Sequence, residues 1–403
     1  MEKPFIIAKS EYLLGHGFYA FPLVRKMADG TLVIGYASGD TGRYDPIRVD
    51  ENGTPLGFAH SLSPAISVDG GETWNIRAPK GLPTTNDWIA DSIYRKLNRT
   101  YQPDPLAVTI CRHDGSRLAF SDNVLAIPER SFPEIGSSWE GIGVKMTSVD
   151  GNSWSGPTDV LYSIPALQRS VQRGEALRLH GDGLELSDGT LLLAGYQNTM
   201  TPYRFEATSG HASILLASVD GGNTFTTRSV IASGRNVRAR VVPDIEGAAE
   251  PCMVQLESGE LLCLMRTWST VAGLRRGQTG PMLLARSSDG GQTWKRSTFP
   301  YTGVRPRLLV LSDGSLVCTF GRPGNTLATS GDGGRTWGRA YTISPPDWPT
   351  TGYTDIREIS PGRLLLVYDL WDYDIENKRV ARPGDGVNVV MARFVNIGTK
   401  DEK

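Results

Sequence analysis

Polar turn phrases and apolar runs alternate along this chain. Runs such as L-L-L-A-G-Y and L-L-L-V-Y-D each follow a short phrase of the form Asp-Gly-x-Leu or a close variant of it. A glycine-containing turn that opens an apolar run is typical of a β-hairpin. We name these phrases the inner turns, and the six copies begin at Asp29, Asp114, Asp188, Ser258, Asp313 and Pro361.

A second phrase, S-x-D-G-G-x-T-W or a close variant, returns five times between the inner turns. Its Asp can accept hydrogen bonds from nearby backbone N–H groups, and its glycines tolerate positive φ. Its terminal Trp or Phe begins a strand with a large apolar side chain. Each copy therefore predicts a second kind of hairpin connection, which we name the outer turn. The copies begin at Ser67, Ser148, Ser218, Ser287 and Ser330.

An internal repeat of this kind marks supersecondary units that bury their apolar faces by stacking on one another. Six inner turns and five outer turns predict an all-β fold, a six-bladed β-propeller formed by a single domain over residues 1–403. The sixth blade lacks an outer turn, and we expect a strand in the N-terminal run F-I-I-A-K from Phe5 to complete it and close the ring. Long loops at 79–112 and 125–141 hold the residues that compact blades do not need.

Charge and composition exclude several classes of partner. The formal net charge is −1 at pH 7, so there is no electrostatic argument for nucleic acid or an anionic membrane. No run reads as a membrane span, and the first residues lack the basic and apolar regions of a signal peptide. We expect a cytoplasmic protein, or a secreted or periplasmic one if a leader was removed. The sequence leaves the oligomeric state open.

The four cysteines and five histidines show no spacing typical of a metal site. Cys-x-x-Cys, His-x-x-x-His and His-x-His pairs are all missing from the sequence, and three of the cysteines lie in apolar, strand-like runs. We expect buried free thiols, no metal centre and no cofactor.

One predicted hairpin carries an acid and a base that a scaffold does not require. Glu250 comes just before the apolar run of one strand, and Arg266 lies at the end of the next. Both side chains would then face the same end of the hairpin. A carboxylate and a guanidinium there suit an anionic or hydroxyl-rich ligand, whereas the alternative is an ordinary ion pair that closes the hairpin.

Tyr353 occupies the corresponding place before the inner turn at Pro361. A tyrosine at a strand entry usually serves packing. Near a base such as Glu250, however, a phenol can act as a nucleophile. A neutral tyrosine suits a sugar with a carboxylate beside its anomeric carbon, because an attacking Asp or Glu would be repelled. Glycosidases with a tyrosine nucleophile are a known exception to the two-carboxylate scheme.

Over essentially the whole chain, these features resemble the sialidase (neuraminidase) superfamily. The outer turns resemble its Asp-box (BNR) repeats, and the segments around Glu250, Arg266 and Tyr353 resemble its catalytic segments. The resemblance implies a six-bladed propeller that acts as a metal-independent, exo-acting, retaining glycosidase on a carbohydrate. It further implies that Tyr353 is the nucleophile, that Glu250 activates it, and that Arg266 binds the substrate carboxylate.

Two further arginines are implied as ligands of the same carboxylate. Arg322, ahead of the last outer turn, matches the third place best, with Arg305 and Arg307 as competitors. At the first place this chain has Ala20, where family members carry arginine. Either the substrate lacks a carboxylate at that point or a nearby side chain compensates. The nearby candidates are Arg25, Arg43 and His16.

The resemblance also implies a general acid on a loop of the first blade, for which Asp45 and Asp40 are the candidates. Such an acid must be partly buried to hold its proton. Three functions remain open: a sialidase-like glycosidase for a terminal sialic or related ulosonic acid, a propeller glycosidase that uses a carboxylate pair on a neutral or uronic sugar, such as an arabinan- or rhamnose-directed enzyme, and a non-catalytic carbohydrate-binding propeller.

Overall fold

The computed structural model describes strands and turns, and none of the described residues form a helix that could span a membrane. The described residues are 2–9, 18–39, 65–76, 108–127, 139–151, 153–164, 175–198, 211–233, 245–269, 280–382 and 385–397. The all-β prediction is confirmed for this part of the chain.

Two compact units make up the chain. The first unit comprises residues 1–82, 100–102 and 309–403, and the second unit comprises 83–99 and 103–308. The expectation of a single domain over 1–403 stays a prediction.

The strands are short and are numbered in chain order. Those before residue 83 are β1 (Phe5–Lys9), β2 (Phe18–Lys26), β3 (Leu32–Gly39), β4 (Ala65–Ser67) and β5 (Asn75–Ile76). The second unit contains β6 (Val108–Cys111), β7 (Arg117–Phe120), β8 (Asn123–Ala126), β9 (Gly141–Ser148), β10 (Ser155–Ser163), β11 (Glu175–Leu179), β12 (Leu184–Glu185), β13 (Leu191–Asn198), β14 (His211–Ser218), β15 (Thr224–Ser233), β16 (Ile245–Gln255), β17 (Leu261–Ser269), β18 (Pro281–Ser287) and β19 (Lys295–Thr302).

The division between the units falls within β20 (Val304–Val310). The remaining strands belong to the first unit. They are β21 (Leu316–Gly321), β22 (Asn325–Ser330), β23 (Tyr341–Ser344), β24 (Thr354–Ser360), β25 (Arg363–Asp374), β26 (Arg379–Val380) and β27 (Val387–Asn396).

Each inner turn joins two paired strands, as the sequence pattern predicts. In four of these turns the Asp side chain accepts the backbone N–H of the residue two positions later at 2.9 Å. This local hydrogen bond stabilises a turn conformation of the backbone at a point where the strand would otherwise continue.

The outer turns also lie between antiparallel strands and repeat one set of hydrogen bonds. In the copy that begins at Ser287, the serine hydroxyl donates to Asp289 at 2.7 Å and accepts the N–H of Gly291 at 2.8 Å. Asp289 also accepts the backbone N–H of Thr293 at 3.0 Å and its hydroxyl at 2.5 Å. The hydroxyl and N–H of Thr293 are the main reason that the pKa of Asp289 lies well below its usual range. The carboxylate of Asp289 therefore stabilises the turn.

In the first unit, one sheet has the strand order β1-β27-β25-β24, and β26 pairs with β25. The N-terminal strand therefore pairs antiparallel with the last strand, with Phe5 opposite Ala392, as the sequence predicts for the run from Phe5. A second sheet has the order β2-β3-β4-β5. A third sheet, whose first strand β20 holds the boundary between the units, has the order β20-β21-β22-β23. Buried aliphatic side chains from β24, β25 and β27 form much of the apolar core of this unit.

In the second unit, β16, β17, β18 and β19 form one four-stranded sheet. The strands β6, β7, β9 and β10 pair antiparallel, as do β11, β13, β14 and β15, and these two sets form one connected network. They are joined because β8 pairs with β11 and because β10 pairs in parallel with β15. The sequence pattern predicted the hairpins but not these links between neighbouring sets.

Tyr162 provides a stability test of this network. It is fully buried in β10 and stacks on Phe225 with ring centroids 5.7 Å apart. Burial raises the pKa of its phenol, and no described residue lies within hydrogen-bond reach of its hydroxyl. We expect Tyr162→Phe to raise the free energy of unfolding by about 1 kcal/mol, because it removes a buried polar group that has no partner.

Urea unfolding at neutral pH measures this effect, and Phe225→Ala serves as the comparison that tests the packing itself. That variant should lose about 3 kcal/mol or more, as expected for a large aromatic removed from a core. A clear loss of stability in Tyr162→Phe would mean that the hydroxyl has a partner after all.

Candidate active site

Five described residues, some in each unit, share one place in the repeat. Phe21, His180, Glu250, Arg305 and Tyr353 each lie eight positions before the first residue of an inner turn. The residue at the same place before Asp114 lies outside the described residues. The repeat therefore identifies equivalent positions in several hairpins, and three of the occupants, Glu250, Arg305 and Tyr353, are candidates that the sequence singled out.

Three of these positions also share an unusual backbone. Phe21, Glu250 and Arg305 have φ of 55°, 51° and 42°, and each is followed by a proline. The pairing registers of β2 and β16 shift at Phe21 and Glu250, which is the signature of a bulge. Left-handed conformations cost roughly 1–3 kcal/mol for a non-glycine residue and cluster at functional sites. Bulges likewise re-aim side chains next to active sites.

Glu250 lies buried in the second unit, on β16 opposite the strand β17 that carries Arg266. An Oε1 atom of Glu250 lies 3.2 Å from Nη1 of Arg266, and the side chains are only 5% and 4% exposed. Its other oxygen accepts the backbone N–H of Arg305 at 2.8 Å. The guanidinium and the backbone N–H thus hold this carboxylate in place.

Arg305 and Arg307, which compete in sequence with Arg322, both lie buried on β20. The Arg307 guanidinium is 3.1 Å from the carboxylate of Asp182. Asp182 itself follows His180 in the glycine-containing segment before β12. In the second unit, buried positive charge is thus arranged around two carboxylates.

Two histidines of the second unit are held neutral by this arrangement. Burial and the positive charge of Arg305 lower the pKa of His180 to about 3. Burial and the charge of Arg266 lower the pKa of His211 to about 4. Tyr196 lies against both rings, with centroid distances of 6.3 Å and 6.0 Å.

His211→Gln should change how stability depends on pH. The folded-state pKa of His211 lies near 4 against an ordinary value of 6.5. The unfolded chain therefore takes up a proton below pH 6.5 that the folded chain refuses, and stability is lost as the pH falls from 6.5 towards 4. Between pH 7 and pH 4 the wild type should lose about 3 kcal/mol more than His211→Gln, which has no imidazole to protonate.

Denaturant titrations of both proteins at a series of pH values give this difference directly. The exposed His113 supplies a matched control, because His113→Gln removes an imidazole that is 65% exposed. Parallel curves for wild type and His211→Gln would contradict the prediction.

Tyr353 lies half-buried in the first unit, beside Phe21 and Arg322. The rings of Tyr353 and Phe21 have centroids 4.8 Å apart with an interplanar angle of 52°. The guanidinium carbon of Arg322 lies 5.9 Å from the centroid of the Tyr353 ring, which is within the range of a cation–π contact. The phenol is thus flanked by an apolar ring and by a positive charge.

Arg322 has the left-handed backbone seen at the other positions, with φ of 56°, and precedes a cis proline. Its Nε donates to the carbonyl of Thr351 at 2.7 Å, and its side chain is exposed. Gly352 has φ of 73°, and a Cβ there would lie 2.7 Å from Cγ of Arg322. Glycine is required at this position because any side chain would displace the arginine.

Asp369, fully buried on β25, holds this part of the first unit together. One oxygen accepts the hydroxyl of Thr350 at 2.7 Å and the N–H of Thr351 at 2.8 Å. The other accepts the hydroxyl of Thr351 and the N–H of Phe21, the latter at 3.2 Å. Thr351 in turn accepts the N–H of Tyr353 at 3.2 Å. Burial raises the pKa of Asp369 despite these bonds.

The other sequence candidates make different contacts or lie outside the described residues. Arg25 is buried and pairs with Asp355 at 3.2 Å, so a carboxylate of its own unit engages its charge. Ala20 pairs through its backbone with Ala37 on β3. Asp40, Asp45, His16 and Arg43 lie outside the described residues. Within those residues, no group of three or more His, Cys, Asp or Glu side chains could hold a metal ion.

Sequence reasoning missed Phe21, Asp369 and His180. Phe21 and His180 could have been found from the repeat, because both stand eight residues before an inner turn like Glu250 and Tyr353. Asp369 lies eight residues after Pro361, as Arg266 lies eight after Ser258. The spacing can be read from the sequence. However, neither an aromatic residue before a proline nor an Asp at the end of an apolar run indicates a function by itself.

No protein-family model matches the chain, and no curated protein matches its sequence. Among solved structures, a protein of unknown function from Dyadobacter fermentans aligns at a TM-score of 0.60 and 19% identity, over 97% of this chain and 98% of that one. The NanB sialidase from Streptococcus pneumoniae aligns at 0.54 and 16%, over 98% of this chain and 70% of that one. The Hadza microbial sialidase Hz136 aligns at 0.54 and 15%, over 94% and 66%.

The chain has a sialidase-like fold. At these identities the likeness concerns the fold. The sialidase-like fold accounts for the repeated hairpins, and the chemistry has to be argued from the side chains described above.

Proposed function

We propose that this chain is an exo-acting, retaining glycoside hydrolase that releases a terminal acidic sugar, either sialic acid or a related ulosonic acid. The sialidase-like fold supports this proposal, as does the resemblance of the segments around Glu250 and Tyr353. We also propose that the strand sets are the blades of a six-bladed propeller, which the six inner turns and the Asp-box resemblance of the outer turns support.

The setting of Tyr353 is the observation on which the proposal rests. A tyrosine that serves packing alone needs no charged neighbour, yet this phenol lies beside the exposed guanidinium of Arg322. Its backbone is tied through Thr351 to the buried carboxylate of Asp369. A positive charge close to a phenol stabilises the phenolate that develops during attack, and a fixed backbone keeps the nucleophile in place.

The proposed reaction has two displacements. First, the phenolic oxygen of Tyr353 attacks the anomeric carbon, Glu250 takes the phenolic proton, and Asp45 or Asp40 protonates the departing glycosidic oxygen. Then the same Asp takes a proton from water, the water oxygen attacks the anomeric carbon, and the leaving phenolate regains its proton from Glu250. Two inversions at one carbon retain its configuration.

Arg266 and Arg322 are the proposed ligands of the substrate carboxylate. Arginine suits this task because its planar guanidinium can form two parallel hydrogen bonds to a carboxylate. Arg322 is exposed and so accessible to a ligand, whereas Arg266 is buried beside Glu250. Ala20 stands at the first place, so this proposal assigns two arginines to the substrate carboxylate.

A panel of 4-methylumbelliferyl glycosides tests the proposal. It should contain the α-glycoside of N-acetylneuraminic acid together with a glucuronide, an arabinofuranoside and a rhamnoside. We expect turnover of the acidic nonulosonate glycoside, with NMR showing the α-anomer as the first product. Turnover of a neutral sugar or a uronide alone would favour the carboxylate-pair glycosidase. Binding of a sugar without turnover of any glycoside would favour a carbohydrate-binding protein.

A further inference from the structure

The backbone at Phe21 departs from a regular strand. Phe21 shares with Glu250 the place eight residues before an inner turn, the left-handed backbone, the following proline and the bulge. A glycine could adopt this backbone without strain, whereas phenylalanine does so at a cost of roughly 1–3 kcal/mol. The chain nevertheless places a large aromatic ring there.

The position of the Phe21 ring is fixed from two sides. Its backbone N–H is bound by the fully buried carboxylate of Asp369 at 3.2 Å, and its ring contacts Tyr353 at a centroid distance of 4.8 Å. Because Asp369 also anchors Thr351, which accepts the N–H of Tyr353, one buried group positions both rings. The relative placement of Phe21 and Tyr353 is thus tightly controlled.

The Phe21 side chain is half-buried, and it is not a member of the described apolar cluster formed mainly by β3, β25 and β27. A ring that is held rigidly, remains partly accessible and contacts the proposed nucleophile can bind a sugar only by its apolar face, because phenylalanine has no hydrogen-bonding group. The C–H groups on one face of a pyranose ring match such a surface, in the same way that aromatic side chains cover apolar area in other binding sites.

We propose that Phe21 is a substrate contact that binds the apolar C–H face of the terminal sugar beside Tyr353. The inference rests on the proposed function, since it takes Tyr353 as the nucleophile. The Phe21 ring would then set specificity at this side of the sugar through an uncharged aromatic surface. The favoured substrates would carry no charged or bulky polar group on that face. Asp369 acts as the positioning residue for this surface.

Kinetics of Phe21 variants test the proposal with the glycoside that the wild type hydrolyses best. Phe21→Ala should raise KM about tenfold and change kcat much less, because it removes about the apolar area of one side chain from the bound state. Phe21→Tyr keeps the ring and should restore KM to within about twofold of wild type. Tyr341→Ala is the matched control, since Tyr341 is an aromatic residue of the same unit that is 51% exposed, and its KM should not change.

The melting temperature of each variant separates a substrate contact from a purely structural role. An unchanged KM in Phe21→Ala, or a loss that Phe21→Tyr does not rescue, would overturn the proposal. Failure of the proposed function has a different signature, because Tyr353→Phe would then retain its activity, irrespective of the kinetics of the Phe21 variants.

Saturation-transfer NMR provides a readout that needs no turnover. With N-acetylneuraminic acid, and with the free sugar of any glycoside that is hydrolysed, the protons on one ring face should receive the strongest transfer in the wild type. That transfer should be lost in Phe21→Ala. Equal transfer in both proteins, or no binding in either, would overturn the proposal.

Discussion

Tyr353→Phe should fold as the wild type does and lose nearly all turnover. The substitution removes only the phenolic oxygen, while the ring contact with Phe21 at 4.8 Å and the backbone bond to Thr351 remain possible. If that oxygen forms the covalent bond to the anomeric carbon, its removal should lower kcat by about ten-thousandfold or more, as losses of other catalytic nucleophiles do.

Steady-state kinetics with the best glycoside of the panel, together with the melting temperature, measure this effect. Tyr341→Phe is the matched control, because it removes a phenolic oxygen from an exposed position of the same unit. Mass spectrometry of rapidly quenched wild type should also find the sugar on the peptide that contains Tyr353. Full activity in Tyr353→Phe would rule out the tyrosine mechanism and favour a carboxylate pair with Tyr353 as a wall of the site.

Glu250→Gln should lower both activity and stability. The wild-type carboxylate is buried, contacts Arg266 at 3.2 Å and accepts the N–H of Arg305 at 2.8 Å. Glutamine is almost isosteric but turns an amide N–H₂ or a neutral oxygen towards a buried guanidinium. Breaking a buried ion pair by removing one partner costs roughly 3–5 kcal/mol, because the other charge remains buried. Loss of a general base lowers turnover by about 100- to 10,000-fold.

Urea unfolding and kinetics at a temperature where the variant stays folded separate the two losses. Glu260→Gln is the control for stability, since Glu260 pairs with Arg286 at 2.8 Å at a more exposed place in the same sheet. That pair should contribute less than about 1 kcal/mol. In Glu250→Gln combined with Arg266→Met, the loss of stability should be smaller than the sum of the single losses, because the unpaired charge is gone.

Each outcome has a distinct meaning. Loss of stability with full activity would make Glu250 a structural residue and would contradict the proposed mechanism. Unchanged stability in Glu250→Gln would contradict the energetic account of the buried pair.

The turns could be predicted from the sequence because their chemistry is local. Inner and outer turns are determined by residues that bond to their own neighbours, such as Asp289 with Thr293, so local chemistry suffices to predict them. The pairing of β1 with β27 was also predictable, because the last sheet lacked a strand. The links between β8 and β11 and between β10 and β15 depend on packing across sets of strands and left no pattern in the sequence.

For the candidate site, Glu250 and Arg266 could be proposed from the sequence because two charged residues border apolar runs. Asp369 was missed because its partners are backbone and hydroxyl groups of Thr350 and Thr351 and the backbone N–H of Phe21, which lies 348 positions away along the chain. The left-handed backbone at Phe21 was equally hidden, since no residue type there required it. Long-range hydrogen bonds of this kind follow from the fold and cannot be read from one segment.

The antiparallel pairing of β1 with β27 affects how the chain can mature during synthesis. The first unit combines residues 1–82 and 100–102 with residues 309–403, which are translated after the second unit. A ribosome therefore releases the second unit's residues while β1 still lacks its partner. The edge of β1 stays unsatisfied until β27 emerges, and exposed strand edges invite pairing with other chains. The Phe21 and Tyr353 rings likewise meet only after translation has passed the whole of the second unit.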